Sequence, residues 1–508
     1  MLVRIRRRHS ATSPPKREPY VRISEGIHSQ AEIPEGCSVL VVGAGMSGLG
    51  TALELSERGA RDIVVVDPGP FTGFEHRSRT PNTVPLPDTP PWWRSASPHY
   101  AELPGVTGPL GGRSRCWHGV LLPVSRRVLE RHWPNDTADR LLAEGPGSYR
   151  AVTEELLDWQ RTCGDARPDR APDDPREELR ALWPDLSLEP VPQAGWSVDG
   201  PDGRLVWAYS PLMAWAHRGL ARHVGLELPR VVSGPRAISV LVEAGSVRGV
   251  RLATPDGGIR EVRADVVVLA AGTLENTRLY AQALAEAGDA VTRWPGLNDH
   301  VTHGYAVPLP SALAERWTRS DHRFLWSDHE EELNANLFME VHAAGLAEPV
   351  LDLWWMAQQE EPFRDEVRFD PPDRTASGED TAWAGQVTAS FSPADEEEIR
   401  RRDEITGKLL EALDVGIAEE RGLVDFDPAA KAALATGTAH HYVSRLGTAD
   451  HEAGTVPLGR RLDFGGRSPS VGNLFVTGPA TFPTAGAANP SLTILALAAH
   501  TAEAITGG

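Results

Sequence analysis

The sequence predicts an α/β protein in which a parallel-sheet domain is interrupted by a second, α+β domain built on an antiparallel sheet. Three short, largely apolar runs, residues 39–42, 63–66 and 264–269, have the pattern of strands that are buried on both faces. Between residues 305 and 440 the pattern changes to that of strands in an antiparallel sheet. The segments with this second pattern, predicted to form one sheet, are 334–342, 350–358 and 384–391.

A glycine-rich turn follows the first apolar run. Gly43, Gly45 and Gly48 have the G-x-G-x-x-G spacing, and a helical segment follows, with Gly59 placed to end it. The first glycine permits a tight turn, the second lets a pyrophosphate approach the backbone, and the third lets helix and strand pack closely. The second apolar run ends on Asp67, where an acidic residue accepts hydrogen bonds from an adenosine ribose. This stretch therefore predicts a Rossmann-like dinucleotide-binding unit.

Composition and charge exclude several classes of function. A net charge of −19 argues against binding to nucleic acid or to an anionic membrane surface. The three cysteines form neither a disulfide framework nor a zinc-site spacing, so we expect a cytoplasmic protein without a metal centre. No run approaches the ~20 apolar residues of a membrane span. The basic start, residues 1–35, lacks the apolar core of a secretion signal and is either a disordered tail or an arm. Such an arm would pack on the body or, in a homo-oligomer, on a partner subunit.

A long loop and a helical insertion follow the first dinucleotide unit. Residues 70–107 are rich in Pro, Thr and Trp and predict a loop that acts as a lid or an interface arm. Residues 108–123 contain paired glycines and form either a simple turn or a backbone-accessible part of the site. Helical spacing then dominates residues 131–227, which are broken by a charged loop at 164–178.

Residues 228–304 carry the second part of the parallel-sheet domain. Alternating strands at 237–243 and 247–254 precede the third apolar run, which ends in Ala271 and Gly272 before a predicted helix. Small residues between a strand and a helix let the backbone pass close to a cofactor.

Residues 441–508 carry the third part of that domain, with a strand at 473–476 and a final helix that begins near Ser491. The predicted division of the chain is an arm (1–35), three parts of the cofactor domain (36–130, 228–304 and 441–508), a helical insertion (131–227) and a substrate-binding domain (305–440).

Six segments of the chain resemble motifs of the glucose–methanol–choline (GMC) oxidoreductase superfamily, in the family's order. They are VVGAGMSGLG, GGRSRCWHG, VVLAAGTLENTRL, GLNDH, HEAGTVPLG and NLFVTGPATFPTAGAANPSLTI. Leu458 stands where the family usually has Met, and the glycine at position 478 makes the chain look most like the pyranose oxidase branch. The resemblance implies a Rossmann-like FAD-binding domain with an inserted antiparallel-sheet substrate domain.

The resemblance also implies the residues of the site. His451 matches the family's catalytic base and Asn489 its partner, with the substrate hydroxyl between them and its C–H bond over flavin N5. Pyranose oxidases have an FAD-linked histidine where this chain has Cys116, so we expect dissociable FAD. His440 and His441 match no motif and are interpreted as structural. The implied cofactor contacts are Gly43, Gly45, Met46, Ser47, Gly48, Asp67, Gly112, Ser114, Cys116, Trp117, His118, Ala237, Ala271, Gly272, Gly478, Asn489, Pro490, Ser491 and Leu492.

The implied reaction is oxidation of a secondary alcohol of a sugar or glycoside, at C2 or C3 of a pyranose, to a ketone. Hydride would pass to flavin N5, with O₂ or a quinone-like compound as the final acceptor. Gln358 and Gln386, at the inner ends of the predicted strands, are candidates for binding ring hydroxyls together with His451 and Asn489. The 15 tryptophans all lie in the middle of the chain, where they suit either sugar stacking or core packing.

Three other functions compete with this one. A non-sugar alcohol oxidase and a GMC-fold lyase that keeps FAD without redox chemistry remain alternatives. A two-dinucleotide NAD(P)H enzyme is disfavoured, because the sequence has no second G-x-G-x-x-G turn.

Overall fold

A computed structural model of the protein describes residues 27–29, 32–74, 93–101, 108–163, 176–200, 203–221, 226–319, 324–342, 346, 348–361, 363–370, 383–419 and 422–507. Most of the predicted arm (1–35), much of the predicted loop at 70–107 and most of the charged loop at 164–178 lie outside these residues. None of the described helices is long and apolar enough to span a membrane.

The described residues form helices and strands from the start of the chain to its end. The helices are α1 (Met46–Glu57), α2 (Arg126–His132), α3 (Asn135–Leu142), α4 (Tyr149–Cys163), α5 (Arg176–Leu182), α6 (Pro211–Ala221), α7 (Thr273–Glu286), α8 (Ser311–Arg319), α9 (Glu330–Leu333), α10 (Pro393–Ala412), α11 (Phe426–Thr436) and α12 (Ser491–Thr506), with 3₁₀ turns at Gly112–Arg115 and Pro479–Thr481. The strands are β1 (Ile27–His28), β2 (Gly36–Val42), β3 (Ile63–Asp67), β4 (Trp93–Ser95), β5 (Glu189–Pro190), β6 (Gly195–Gly200), β7 (Gly203–Ala208), β8 (Arg230–Ser233), β9 (Arg236–Glu243), β10 (Ser246–Ala253), β11 (Ile259–Leu269), β12 (Arg293–Leu297), β13 (His300–Pro308), β14 (Phe324–His329), β15 (Ala335–His342), β16 (Val350–Gln358), β17 (Asp365–Asp370), β18 (Ala384–Thr388), β19 (His440–Val443) and β20 (Leu474–Val476).

The predicted parallel sheet is confirmed. Its described strands have the order β1-β8-β3-β2-β11-β10-β9, and β20 also pairs with β11. Strand β11 is long: its end pairs in parallel with β2 and β20, while its start forms an antiparallel meander with β10 and β9. The carboxyl ends of β2, β3, β11 and β20 therefore meet at one edge of the sheet, where α1, α7 and α12 begin. Gly59 ends α1 in the left-handed region, with a φ of +86°.

A second sheet is antiparallel throughout, with its described strands in the order β19-β13-β16-β15-β14-β5. One face packs against α10, where the Trp355 Nε1 donates a hydrogen bond of 2.9 Å to Thr406 Oγ1. The opposite face meets the loop before α12, because Asn336 Nδ2 donates a hydrogen bond of 3.0 Å to the Ala487 carbonyl. Helix α10 is held at its start by a capping box between Ser392 and Asp395.

The prediction of one sheet for residues 334–342, 350–358 and 384–391 is wrong for the third segment. Strand β18 belongs to a separate sheet of order β12-β17-β18-β4 and pairs antiparallel with β17 and in parallel with β4. The ring of Trp93 on β4 packs on Gly385 so closely that a Cβ there would approach ring atoms to 2.3 Å. Alternation predicts a strand correctly, but it does not say which neighbour the strand pairs with.

Three predicted domain boundaries fall inside elements. The boundary at 130/131 lies within α2, the one at 304/305 within β13 and the one at 440/441 within β19. The second domain therefore begins near β12, because β12 and β13 already pair with strands of the four-stranded and the six-stranded sheet.

Candidate active site

The glycine-rich turn contains two kinds of glycine. A Cβ atom on Gly43 would approach the Ala270 carbonyl oxygen to 2.4 Å, and one on Gly48 would approach the Gly43 oxygen to 1.8 Å. Packing of the turn therefore requires both of these glycines. A Cβ on Gly45, in contrast, would meet the Gly111 oxygen at 3.8 Å and no other described atom within 4 Å. Gly45 faces an open space, as close approach of a pyrophosphate requires.

The start of α1 is arranged to receive an anion. Its N-cap, Gly45, provides no side-chain cap, so the first-turn N–H groups are not covered by the chain's own oxygen. Met46 and Ser47 are buried in this first turn, and Gly478 packs on it so closely that a Cβ there would lie 2.9 Å from Ser47 Oγ.

Asp67 accepts hydrogen bonds from the backbone N–H groups of Ala44 (2.8 Å) and Gly69 (2.7 Å). Each carboxylate oxygen keeps a further lone pair, so Asp67 fixes the turn and still has capacity for a ribose hydroxyl.

The A-A-G turn is tied to the last strand by a residue that the sequence analysis missed. Asn276 Oδ1 accepts a hydrogen bond from the Ala271 N–H (2.7 Å), and its Nδ2 donates to the Thr477 carbonyl (3.0 Å). The position of a Cβ on Gly272, whose φ is +84°, has no described atom within 4 Å. The Asn in an otherwise apolar helix face directly after the strand was the available signal.

The segment around residues 111–118 lies beside the phosphate turn. Ser114 Oγ donates a hydrogen bond of 2.7 Å to the Gly111 carbonyl, and Gly112 has a φ of +51° with open space where a Cβ would be. Cys116 is half-buried, and its Sγ donates a hydrogen bond of 3.4 Å to the Arg113 carbonyl. Trp117 Nε1 donates a hydrogen bond of 2.6 Å to the Tyr209 carbonyl. The open positions of glycines 45, 112 and 272 fit the FAD that the sequence predicts.

The predicted base, His451, contacts a second histidine that the sequence analysis quoted only as part of a motif. His451 Nδ1 and His300 Nδ1 are 2.8 Å apart, and the rings meet edge to face with centroids at 4.9 Å. One proton lies between these two nitrogens, so one histidine is the donor and the other the acceptor. When His451 Nδ1–H donates, its Nε2 carries a free lone pair, which is the state of a general base.

The surroundings keep His451 neutral. Burial, then the electrostatic interactions with His300, Arg113 and His118, lower the pKa of His451 well below its usual value. Burial likewise lowers the pKa of His300 to about 4. The pair is therefore neutral at physiological pH, and His451 is available to accept a proton.

A partly buried network of charged and polar groups holds the loop that carries His451. Arg113 binds Glu452 with Nη1 at 2.5 Å and Asp450 with Nη2 at 3.0 Å, and Tyr100 Oη donates to Glu452 at 3.1 Å. Asp299, next to His300, accepts hydrogen bonds from the His300 N–H (2.7 Å) and the Gly447 N–H (2.5 Å). These contacts connect the segment at 111–118, the GLNDH motif and the loop of His451. The sequence analysis missed Arg113 and Glu452, which lie inside two quoted motifs.

One face of the six-stranded sheet supplies polar groups to the site. His300 is the register partner of Gln358, and Thr302 and Asn336 are both partners of Met356, so these side chains share one face. Gln358 Oε1, Asn336 Oδ1 and Thr302 Oγ1 are buried and have no hydrogen-bond partner among the described residues. Asn489 Oδ1, in the loop that meets this face, is in the same condition.

Aromatic rings continue this face away from the histidines. Phe338 and Trp354, register partners on β15 and β16, are stacked at 5.3 Å, and Phe324 stacks on Trp354 at 5.5 Å. The exposed ring of His118 meets Phe324 edge to face at 6.3 Å, which connects the row to the segment at 111–118. Other tryptophans, such as Trp294 and Trp355, are core residues.

The remaining predicted site residues have mixed outcomes. Gln386 lies on the exposed face of β18, in the four-stranded sheet, and not on the sheet that carries His300 and Gln358, as the prediction of one sheet required. Ala237 is buried on β9, and its carbonyl accepts a hydrogen bond of 2.8 Å from Arg278 Nη2. Pro490 is the N-cap of α12, which has no side-chain cap, and Ser491 and Leu492 are buried in its first turn.

Comparisons with known proteins agree with this geometry. The model of a family described as FAD dependent oxidoreductase matches residues 38–314, and one described as GMC oxidoreductase matches residues 377–498. No curated protein matches the sequence significantly.

Two solved structures share the fold. Pyridoxine 4-oxidase from Mesorbium loti is 17% identical, with a TM-score of 0.60 over 93% of this chain and 100% of that one. Formate oxidase from Aspergillus oryzae RIB40, in a study of FAD modification, is 13% identical, with a TM-score of 0.62 over 94% and 99%. At these identities the two structures show the fold and not the substrate.

Proposed function

Because the chain belongs to the FAD-dependent oxidoreductases of the GMC type, we propose that it oxidises a secondary alcohol of a sugar or glycoside. The position oxidised is C2 or C3 of a pyranose, the product is the ketone, and the chain belongs to the pyranose oxidase-like branch. The bound FAD supplies the hydride acceptor at this site, and the residues described above bind the substrate and move its proton.

The observation that carries this proposal is the set of buried polar oxygens around the histidine pair. Gln358 Oε1, Asn336 Oδ1 and Asn489 Oδ1 are amide acceptors without a donor among the described residues. An unsatisfied buried acceptor costs about 1–3 kcal/mol, so a ligand that brings several O–H donors would be bound favourably. A polyol ring has such donors, whereas a short linear alcohol has one. The aromatic row beside these groups offers a surface for the apolar face of the ring.

The tautomer of the histidine pair determines which nitrogen accepts the proton of the substrate hydroxyl. With His451 Nδ1–H donating to His300 Nδ1, the His451 Nε2 accepts the proton of the substrate hydroxyl. The Asn489 side chain holds the reacting oxygen through its amide N–H, and its Oδ1 accepts from a neighbouring hydroxyl. His300 keeps the tautomer of His451 and does not itself take the proton.

The test is flavin bleaching without oxygen. A panel of monosaccharides, O- and C-glycosides and short alcohols is added to the anaerobic holoenzyme, and product masses are measured. Loss of two hydrogens from a cyclic polyol supports the proposal, and turnover of linear alcohols alone would overturn the sugar assignment. Substrate conversion with a flavin that stays yellow would identify a lyase instead. A peroxide assay in air then separates O₂ from a quinone-like acceptor.

Two glutamines provide a matched pair for this test. Gln358→Leu removes an amide from the face that carries His300, and Gln386→Leu removes one from an exposed face of another sheet. We expect Gln358→Leu to lower kcat/KM for the best sugar by about tenfold or more, and Gln386→Leu to leave it unchanged, because a missing hydroxyl partner costs about 1–3 kcal/mol. Equal effects of the two substitutions would show that the face of the six-stranded sheet that carries His300 does not bind the substrate.

We further propose that FAD is held without a covalent bond. Cys116 occupies the position at which the resembling oxidases carry their linking histidine, and His118 is exposed two residues further on. Acid or heat denaturation should therefore release intact FAD into the supernatant. Flavin that stays with the precipitated protein, and is lost from it in Cys116→Ser, would show a cysteinyl link.

A further inference from the structure

A second histidine pair lies on the opposite face of the sheet from the His300–His451 pair. His303 on β13 and His441 on the adjacent strand β19 point toward α10, where Asp403 lies between them. The Asp403 Oδ1 is 3.5 Å from His303 Nδ1 and 3.3 Å from His441 Nε2. The three donor atoms lie within 4.8 Å of one another, and the residues are 0%, 5% and 5% exposed.

The separations match the edges of a tetrahedral metal centre. Zinc bonds to imidazole nitrogen and carboxylate oxygen are about 2.1 Å long, which puts neighbouring ligands of a tetrahedron about 3.4 Å apart. An octahedral centre with bonds of about 2.1 Å would bring them to about 3.0 Å. The two separations from Asp403 Oδ1, 3.3 and 3.5 Å, are close to the tetrahedral value, and the two histidine nitrogens lie within 4.8 Å of each other. Two imidazoles and a carboxylate are also a donor set that suits zinc.

A simple hydrogen-bonded triad explains the cluster less well. Charge-assisted hydrogen bonds to a carboxylate are about 2.7–2.9 Å long, shorter than either separation here. Both ring nitrogens of His303 and of His441 are buried without a well-formed hydrogen bond to any described residue. The nearby cation, Arg402, donates to the Leu333 carbonyl at 2.7 Å.

We propose that His303, Asp403 and His441 bind one zinc ion between the six-stranded sheet and α10, with a water as the fourth ligand. The ion joins a helix to the strand whose other face carries His300. It is a structural site, because the triad lies on the face away from the proposed substrate. Since all three ligands are buried, the ion enters as the chain folds and chelators remove it only on unfolding.

The test uses the untagged, FAD-loaded protein produced in defined medium with Zn²⁺, and in parallel with Co²⁺. We expect one zinc per chain by mass spectrometry after dialysis against chelator. The cobalt form should show the intense visible absorption of tetrahedral Co²⁺. His303→Gln, Asp403→Asn and His441→Gln should each lower metal content at least about tenfold.

The control is His500→Gln, which replaces a buried histidine of α12 outside the cluster and should retain the metal. Flavin content and circular dichroism identify variants that fail to fold. If none of the three variants folds, the cobalt spectrum of the unaltered protein is the measurement that tests the metal site. Protein that folds with FAD, holds no zinc above trace level and gives no tetrahedral cobalt spectrum would overturn the proposal.

Discussion

The two histidine pairs of strand β13 begin three residues apart and differ in the groups that surround them. His300 pairs directly with His451 at 2.8 Å, and the charged groups that lower the pKa of His451 are positive. His303 and His441 instead face the carboxylate of Asp403. Positive groups near His451 favour its neutral form, which can accept a proton from the substrate. The carboxylate of Asp403 instead favours a cation beside His303 and His441. The face of the sheet, and not the residue type, separates the two roles.

The largest expected effect is that of removing the base. His451→Ala should keep FAD but slow anaerobic flavin reduction by about 10²–10⁴-fold, because general base catalysis typically contributes that much. Stopped-flow absorbance with the best substrate measures it. His440→Ala, at a half-buried histidine on β19 that contacts Thr436, is the control and should reduce at the normal rate. Flavin reduction near the normal rate in His451→Ala would remove this residue from the mechanism.

A smaller effect is expected from the partner histidine. His300→Gln keeps a side chain of similar length but loses the Nδ1 that fixes the His451 tautomer. We expect flavin reduction to slow by about 10–100-fold, which is typical of groups that orient a catalytic ligand or base. The acidic limb of the pH profile should also move to higher pH, because His300 is one of the groups that lower the pKa of His451. Slower flavin reduction with an unchanged acidic limb of the pH profile would mean that His300 only supports the packing around His451.

The pH profile of the unaltered protein tests the electrostatic half of the comparison. His451 must be neutral to accept a proton, and its pKa is lowered, so it becomes protonated only below the usual value of about 6.5. Flavin reduction should therefore change by less than about twofold between pH 8 and 6.5 and fall at lower pH. A fall in the rate of flavin reduction that begins above pH 6.5 would contradict the lowered pKa of His451.

The fold of the cofactor domain could be predicted because its signals are local. The turn at Gly43, the strands beside it and the helix that begins at Ser491 are each determined by a continuous stretch of sequence. The structure has them at nearly the predicted bounds. The same holds for β15 and β16, which lie at nearly the predicted bounds and are buried along almost their whole length.

What could not be predicted is which distant segments meet. His300 and His451 are 151 residues apart, and Arg113 and Glu452 are 339 apart, so no local pattern connects them. The misplaced Gln386 has the same cause, since a strand's alternation does not identify its partner strand. The zinc triad takes one residue from each of three elements, and its histidines resemble ordinary core residues in the sequence.

The smallest expected effect concerns His118, the weakest of the groups that lower the pKa of His451. This ring is exposed, so its charge acts largely through water and is screened by salt. His118→Ala should raise the acidic limb of flavin reduction by less than about half a pH unit at low salt, while the rate on the plateau stays the same. In ~1 M salt the profiles of the two proteins should coincide, because the Debye length is then only about 3 Å. A shift that survives high salt, or a collapse of the plateau rate, would mean that His118 contacts the reacting groups directly and that the aromatic row extends into the catalytic centre.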